Sequence, residues 1–127
     1  MIEKNKIKTF IDLNAWKKSH ELVLFVYKIT ESFPKKEMFA LTSQMRRSSI
    51  SITSNIAEGF SRHSYKEKIH FYSIALGSLT ELQSQFLVAR DVGYMKENYE
   101  IFFENSIIVH KLINGLIRHS KYIIHNT

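Results

Sequence analysis

Arg118-His119 and, seven residues after that arginine, His125 are the side chains of this sequence best placed for acid–base chemistry. On a helix that spacing returns to nearly the same face. An imidazole beside a guanidinium can move a proton while the cation steadies a phosphate. Glu67-Lys68-Ile69-His70 has the Glu-x-x-His spacing with which some helical bundles hold paired iron. That site needs a second Glu-x-x-His and further inward glutamates. Neither is present, so the reading is no metal, no cofactor and an ordinary surface or interface histidine. His63 and His70 lie two helical turns apart, too far to share one ion. Arg46, Glu58, Glu81 and Arg90 fall on or beside apolar positions. They read either as a charged site or, preferably, as paired ions that fix helix register. Asn55 reads as a further buried polar group satisfied across helices.

The remaining chemistry is electrostatic. Eighteen Lys and Arg against twelve Asp and Glu give a formal charge of +6, which permits a polyanionic partner without demanding one. Lys4, Lys6, Lys8, Lys17 and Lys18 crowd the start, and after Glu104 no acidic residue appears while Lys111, Arg118 and Lys121 do. If the two ends of the chain lie together, one end of the domain is strongly positive. The cations expected to meet nucleic acid are Arg47, Arg62, Lys66, Lys68, Lys111, Arg118 and Lys121, with the early lysines beside them. Tyr65, Tyr94 and Tyr122 are interleaved with these and can stack on bases. No recognition-helix or RNP-type motif accompanies them, so contact would fall on the phosphate backbone and be sensitive to salt.

The elements that must position these residues follow from breakers and periodicity. One proline, four glycines and long apolar periodicities favour an all-α domain. Four helices are expected, at about residues 12–33, 37–58, 64–92 and 96–123, behind a basic arm at 1–11. Asp12 is the expected first N-cap; Leu13, Trp16, His20, Val23, Leu24, Tyr27 and Ile29 recur at three- and four-residue steps along that helix, and Phe33-Pro34 closes it. Gly59 reads as a left-handed stop. Ser64 with Glu67 forms a capping box, and Gly93 ends the third helix. Gly77 and Gly115, inside helices, each cost about 1 kcal/mol relative to alanine; close helix approach is the expected compensation. Short connections predict an antiparallel up-down-up-down four-helix bundle over residues 12–125.

On the fourth helix Ile101, Ile108, Leu112 and Leu116 read as the main stripe, widened by Phe102, Phe103, Ile107, Val109, Ile113 and Ile117. Apolar surface beyond one face points to self-association or a partner. No cysteine is present, which excludes disulfides and thiolate metal sites and suits a reducing cytoplasm. The start carries no apolar signal-peptide core, and no run reaches the roughly 18 apolar residues of a membrane span.

The stretch from Gln44 through Arg46-Arg47, Ser51-Ile52 and Asn55-Ile56-Ala57-Glu58-Gly59 carries a family resemblance. Its companions are Asp12-Leu13, Trp16-Lys17-Lys18, His20, Val26-Tyr27, Thr30, Phe33-Pro34, Leu41-Thr42-Ser43, Arg62 before Ser64, Gly77-Ser78-Leu79, Glu81, Ala89-Arg90 and Gly93-Tyr94. Together, from Asp12 to about Tyr94, they resemble the 23S rRNA-intervening sequence proteins. Thr53 stands where many relatives place proline, which should leave that helix straighter. The resemblance implies a left-handed four-helix bundle of unestablished biochemical role. It also implies kinship with the accessory variability determinant of diversity-generating retroelements, a homopentamer that binds nucleic acid and a reverse transcriptase. Arg118-His119 with His125 separately resembles the arginine–histidine signature of HEPN ribonucleases. Its place in the last residues, where chains commonly fray, leaves that as a remote alternative.

The expectation is therefore a cytoplasmic, non-enzymatic bundle that self-associates, with a pentamer favoured, and binds RNA or DNA. The competing class is a structural adaptor for a protein partner such as a reverse transcriptase.

Overall fold

The computed structural model describes residues 6–127, which form helices and short connections, with no strand among the described residues. Residues 1–5 of the expected basic arm, including Lys4, lie outside the described residues. Helices α1 (Asn14–Thr30), α2 (Leu41–Ser61), α3 (Tyr65–Asp91) and α4 (Tyr99–His125) are joined by tight corners, with 3-10 turns at Phe10–Asp12 and Lys35–Glu37. Each helix packs on the next, and α4 returns to α1, closing a four-helix bundle around one core. Contacts between α2 and α3 run in opposite chain directions: Ser48 meets Glu81, Ser51 meets Ser78, and Gly59 faces Tyr72. The same holds for α3 and α4, where Gln83 bonds Ser106 and Arg90 covers Tyr99.

Local rules explain most helix ends. The Ser64 hydroxyl accepts the Glu67 amide at 3.1 Å, as the capping box requires. Gly93 takes φ +90°, and the Gly93 and Tyr94 amides bond back to Arg90 and Ala89, which is a Schellman closure. Asp12 departs from expectation. It is not the cap of α1, because its carboxylate accepts the Lys8 and Thr9 amides at 2.9 and 3.0 Å and folds the preceding segment into a turn. Those backbone donors hold its pKa below the usual aspartate value. Leu13 takes the cap position instead. Helix α2 starts later than expected, since Glu37 lies in a 3-10 turn and its carboxylate accepts the Leu41 amide.

Two outer helices turn a different face inward from the one expected. The buried side of α4 is Phe102, Ser106, Val109, Ile113, Ile117 and Ser120, whereas Ile101 and Ile108 are exposed. On α1 the core positions are Ala15, Ser19, Leu22, Val26, Ile29 and Thr30, whereas Leu24 and Tyr27 are exposed. Both helices carry two apolar stripes, and only one can face the core. The inner stripes use small Ser and Ala where the helices crowd, and a reading weighted to large side chains undervalues them.

The glycines divide differently from expectation as well. Gly59 is not a stop. It is helical and buried within α2, and a Cβ there would lie 2.7 Å from the Tyr72 ring. Its function is close approach of α3. Gly77 and Gly115 lack the expected tight neighbours: nothing stands within 4 Å of a Cβ at Gly77, and only the Arg118 guanidinium approaches Gly115, at 3.8 Å.

Candidate nucleic-acid interface

The first described residues, the α2–α3 corner and the last turns of α4 converge at one end of the bundle. Ile7, Leu13, Phe60, Tyr65, Lys68, Tyr72, Leu116, His119 and Ser120 line a pocket of ≈ 290 Å³ between them. The two ends of the described chain therefore do lie together. Segments 6–13, 58–72 and 114–127 bring seven Lys and Arg and three carboxylates to this end.

All three carboxylates are already engaged. Asp12 is bound by backbone amides. Glu58 and Glu67 hold the Arg62 guanidinium at 2.6 and 3.6 Å, and that guanidinium also lies over the Phe71 ring. The Arg62 Nε is buried and finds no acceptor among the described residues. Lys68 is engaged in another way: its ammonium donates to the Phe60 carbonyl at 2.7 Å and lies near the Gly59 carbonyl at 3.4 Å. A cation on the last carbonyls of α2 complements the negative end of that helix. Burial pulls the Lys68 pKa down. Tyr72 is 3% exposed, and burial, with Tyr65 adding to it, pushes its hydroxyl up to about 12.

Of the seven cations proposed for nucleic acid, Arg62 and Lys68 are thus half-buried and committed to the α2–α3 corner. Arg47, Lys66, Lys111, Arg118 and Lys121 are exposed. Lys66, Arg118 and Lys121 belong to the basic end, where Tyr65 and His119 meet edge-on with ring centroids 6.2 Å apart. Lys111 stands about two turns before Arg118 on α4. Arg47 is separate, flanking grooves along α2. Arg118 and His125 share a continuous helix that persists to His125, and both are exposed.

Among the described residues, Arg46, Glu58, Glu81 and Arg90, expected to pair with one another and fix helix register, form no ion pair among themselves. The Arg46 Nε donates to Thr30 at 3.0 Å and the guanidinium covers the Tyr27 ring, tying α2 to α1. Glu81 accepts from Ser48 across α2–α3. Arg90 pairs with adjacent Asp91 and lies over Tyr99, while Glu58 pairs with Arg62 four residues on. Asn55 bonds within its own helix to Ser51, whose hydroxyl reaches Ser78 at 2.7 Å. A serine relay therefore crosses the interface where sequence reading placed an asparagine. Among the described residues, no three His, Asp or Glu side chains gather to hold a metal ion, and no helix is long and apolar enough to cross a membrane.

A second surface went unread in the sequence. Tyr27, Met38, Phe39, Thr42, Arg46, Arg47 and Ile50 border a groove of ≈ 410 Å³ where α1 meets α2. Phe39 is 96% exposed there. Met38-Phe39 in a short connection was the available signal, because an aromatic residue in a corner has no helix face to assign it inward.

The model of the 23S rRNA-intervening sequence protein family matches residues 11–115. A crystal structure of a protein of unknown function from the S23 ribosomal protein family of Bacteroides thetaiotaomicron superposes with TM-score 0.75 at 24% identity. The match covers 82% of this chain and 95% of that one, and it shows a shared fold. No curated protein sequence matches the chain.

Proposed function

This chain belongs to the 23S rRNA-intervening sequence protein family, and we propose that it is a non-enzymatic, cytoplasmic, self-associating bundle that binds RNA or DNA through its basic end. One observation carries the proposal. The carboxylates at that end are consumed internally, while Lys66, Arg118 and Lys121 stand exposed without an ion-pair partner among the described residues. Unpaired cations grouped on one surface attract phosphates and release counterions when they bind them. The second stripes of α1 and α4, with Leu24, Ile101, Ile107 and Ile108 exposed, supply apolar surface for assembly into a ring, with a pentamer favoured. Repetition around such a ring would multiply weak patches into useful avidity.

Binding to mixed-sequence RNA and DNA, measured by fluorescence anisotropy at low salt, should weaken log-linearly as salt rises. No binding even at low salt overturns the nucleic-acid reading. Mass in solution should exceed the 15.0 kDa of one chain; a monomer with and without nucleic acid removes the ring. The groove around Phe39 favours a second reading, an adaptor for a protein partner, which survives if nucleic acid fails to bind.

A further inference from the structure

Within the basic end, and resting on the nucleic-acid reading, we propose that the pocket between Tyr65, Tyr72 and Leu116 receives one unpaired base of a single-stranded nucleic acid. At ≈ 290 Å³ it lies just under the roughly 300–1,000 Å³ of sites for drug-sized ligands. That suits one ring system better than an extended molecule. Leu13, Phe60 and Leu116 give it apolar walls, and the Tyr65 and His119 rings add aromatic surface. A free phosphate would leave those walls unused.

The polar groups match the edge of a base. Tyr72 is 3% exposed, and its hydroxyl has no hydrogen-bond partner among the described residues. The Tyr72 hydroxyl is therefore a donor on the pocket wall that an entering acceptor can engage. The Lys68 ammonium has two carbonyl neighbours and a third proton to give. The Ser120 hydroxyl donates to the Leu116 carbonyl at 2.9 Å and can still accept. Two donors and an acceptor over an apolar floor suit a base, which carries carbonyl and ring-nitrogen acceptors beside amino donors. Lys66, Arg118 and Lys121, next in sequence to lining residues, are placed for the flanking phosphates. In a duplex the base is stacked and paired and cannot enter, so the occupant is a single strand or a loop.

Three labelled probes of equal length test this at one ionic strength: a mixed-sequence single strand, its duplex, and an abasic strand. The single strand should bind about ten-fold more tightly than the abasic strand, within the range of base–aromatic stacking. Leu116→Trp fills the pocket and keeps every charge; it should close that gap and leave abasic binding unchanged. Tyr72→Phe removes only the hydroxyl and should narrow the gap a few-fold, which keeps the test open if the tryptophan variant loses its helical circular dichroism. Equal binding of all three probes, or a gap that neither variant moves, overturns the base pocket while the backbone reading stands. No binding of any probe defeats both. A small apolar carboxylate that raises the melting temperature while the strands show no gap assigns the pocket to another guest and also overturns the proposal.

Discussion

The two ends of this bundle are built from similar parts and differ in charge. At the far end, segments 28–44 and 88–102 carry five cations and five carboxylates. There the Tyr94 hydroxyl donates to Glu37 at 2.8 Å and its ring packs on Phe33, so the α1–α2 and α3–α4 connections are tied to each other. At the basic end Tyr72 sits deeper and has no such partner among the described residues. Both hydroxyls are shifted upward, Tyr94 chiefly by its carboxylate bond and Tyr72 chiefly by burial. The lesson is that one end balances its charges and gives its tyrosine a partner, and the other carries cations in excess of carboxylates.

The largest expected contrast is in nucleic-acid affinity. Reversing Lys66, Arg118 and Lys121 to glutamate should weaken binding at low salt by about 100-fold and shrink the log–log salt slope by about 2. Reversing Lys35, Lys36 and Lys96 at the balanced end should change it little. Equal losses from the two triples would erase the distinction between the ends.

Next comes packing. Gly59→Leu forces atoms into the Tyr72 ring and should cost about 2–3 kcal/mol in denaturant unfolding. Gly77→Ala meets nothing within 4 Å and should add about 1 kcal/mol. A lower oligomer mass in Gly77→Ala would instead place that open face in a subunit contact.

The smallest contrast separates the tyrosines by pH. The folded pKa of Tyr72 lies above its unfolded value, so its contribution is complete below pH 10.0 and is lost as pH rises toward about 12. The loss should reach about 2 kcal/mol. Tyr72→Phe should hold stability flatter across that window. Tyr94→Phe should lower stability already at neutral pH, because it strands the Glu37 bond. Matching alkaline profiles for wild type and Tyr72→Phe would deny Tyr72 its role.

Most features written within a few residues were legible from sequence, Asp12 excepted, whose carboxylate turned back to the Lys8 and Thr9 amides. The Ser64–Glu67 capping box, the Gly93 closure and the end of α1 before Pro34 each depend on neighbours along the chain. Features that depend on what arrives from another helix were not. Gly59 resembles a stop until Tyr72, thirteen residues later, is known to lie against it. The inward faces of α1 and α4 could not be chosen between two apolar stripes without their neighbours. Of the candidate site, the clustering of charge was readable from the lack of acidic residues after Glu104. The commitment of Arg62 and Lys68 was not, because it follows from how α2 turns into α3.

The pocket at the basic end joins Ile7 to Leu116 and Ser120, residues more than a hundred positions apart. The opposite end closes through two local corners and a tie between them, Tyr94 to Glu37, that spans only 57 positions. Contacts of such long sequence separation carry the greatest loop-closure cost and tend to form late. The helical pairs should therefore assemble first and the basic end last. A ligand seated there would favour the fully closed chain over forms with the early segment undocked, so occupancy would report that folding had finished.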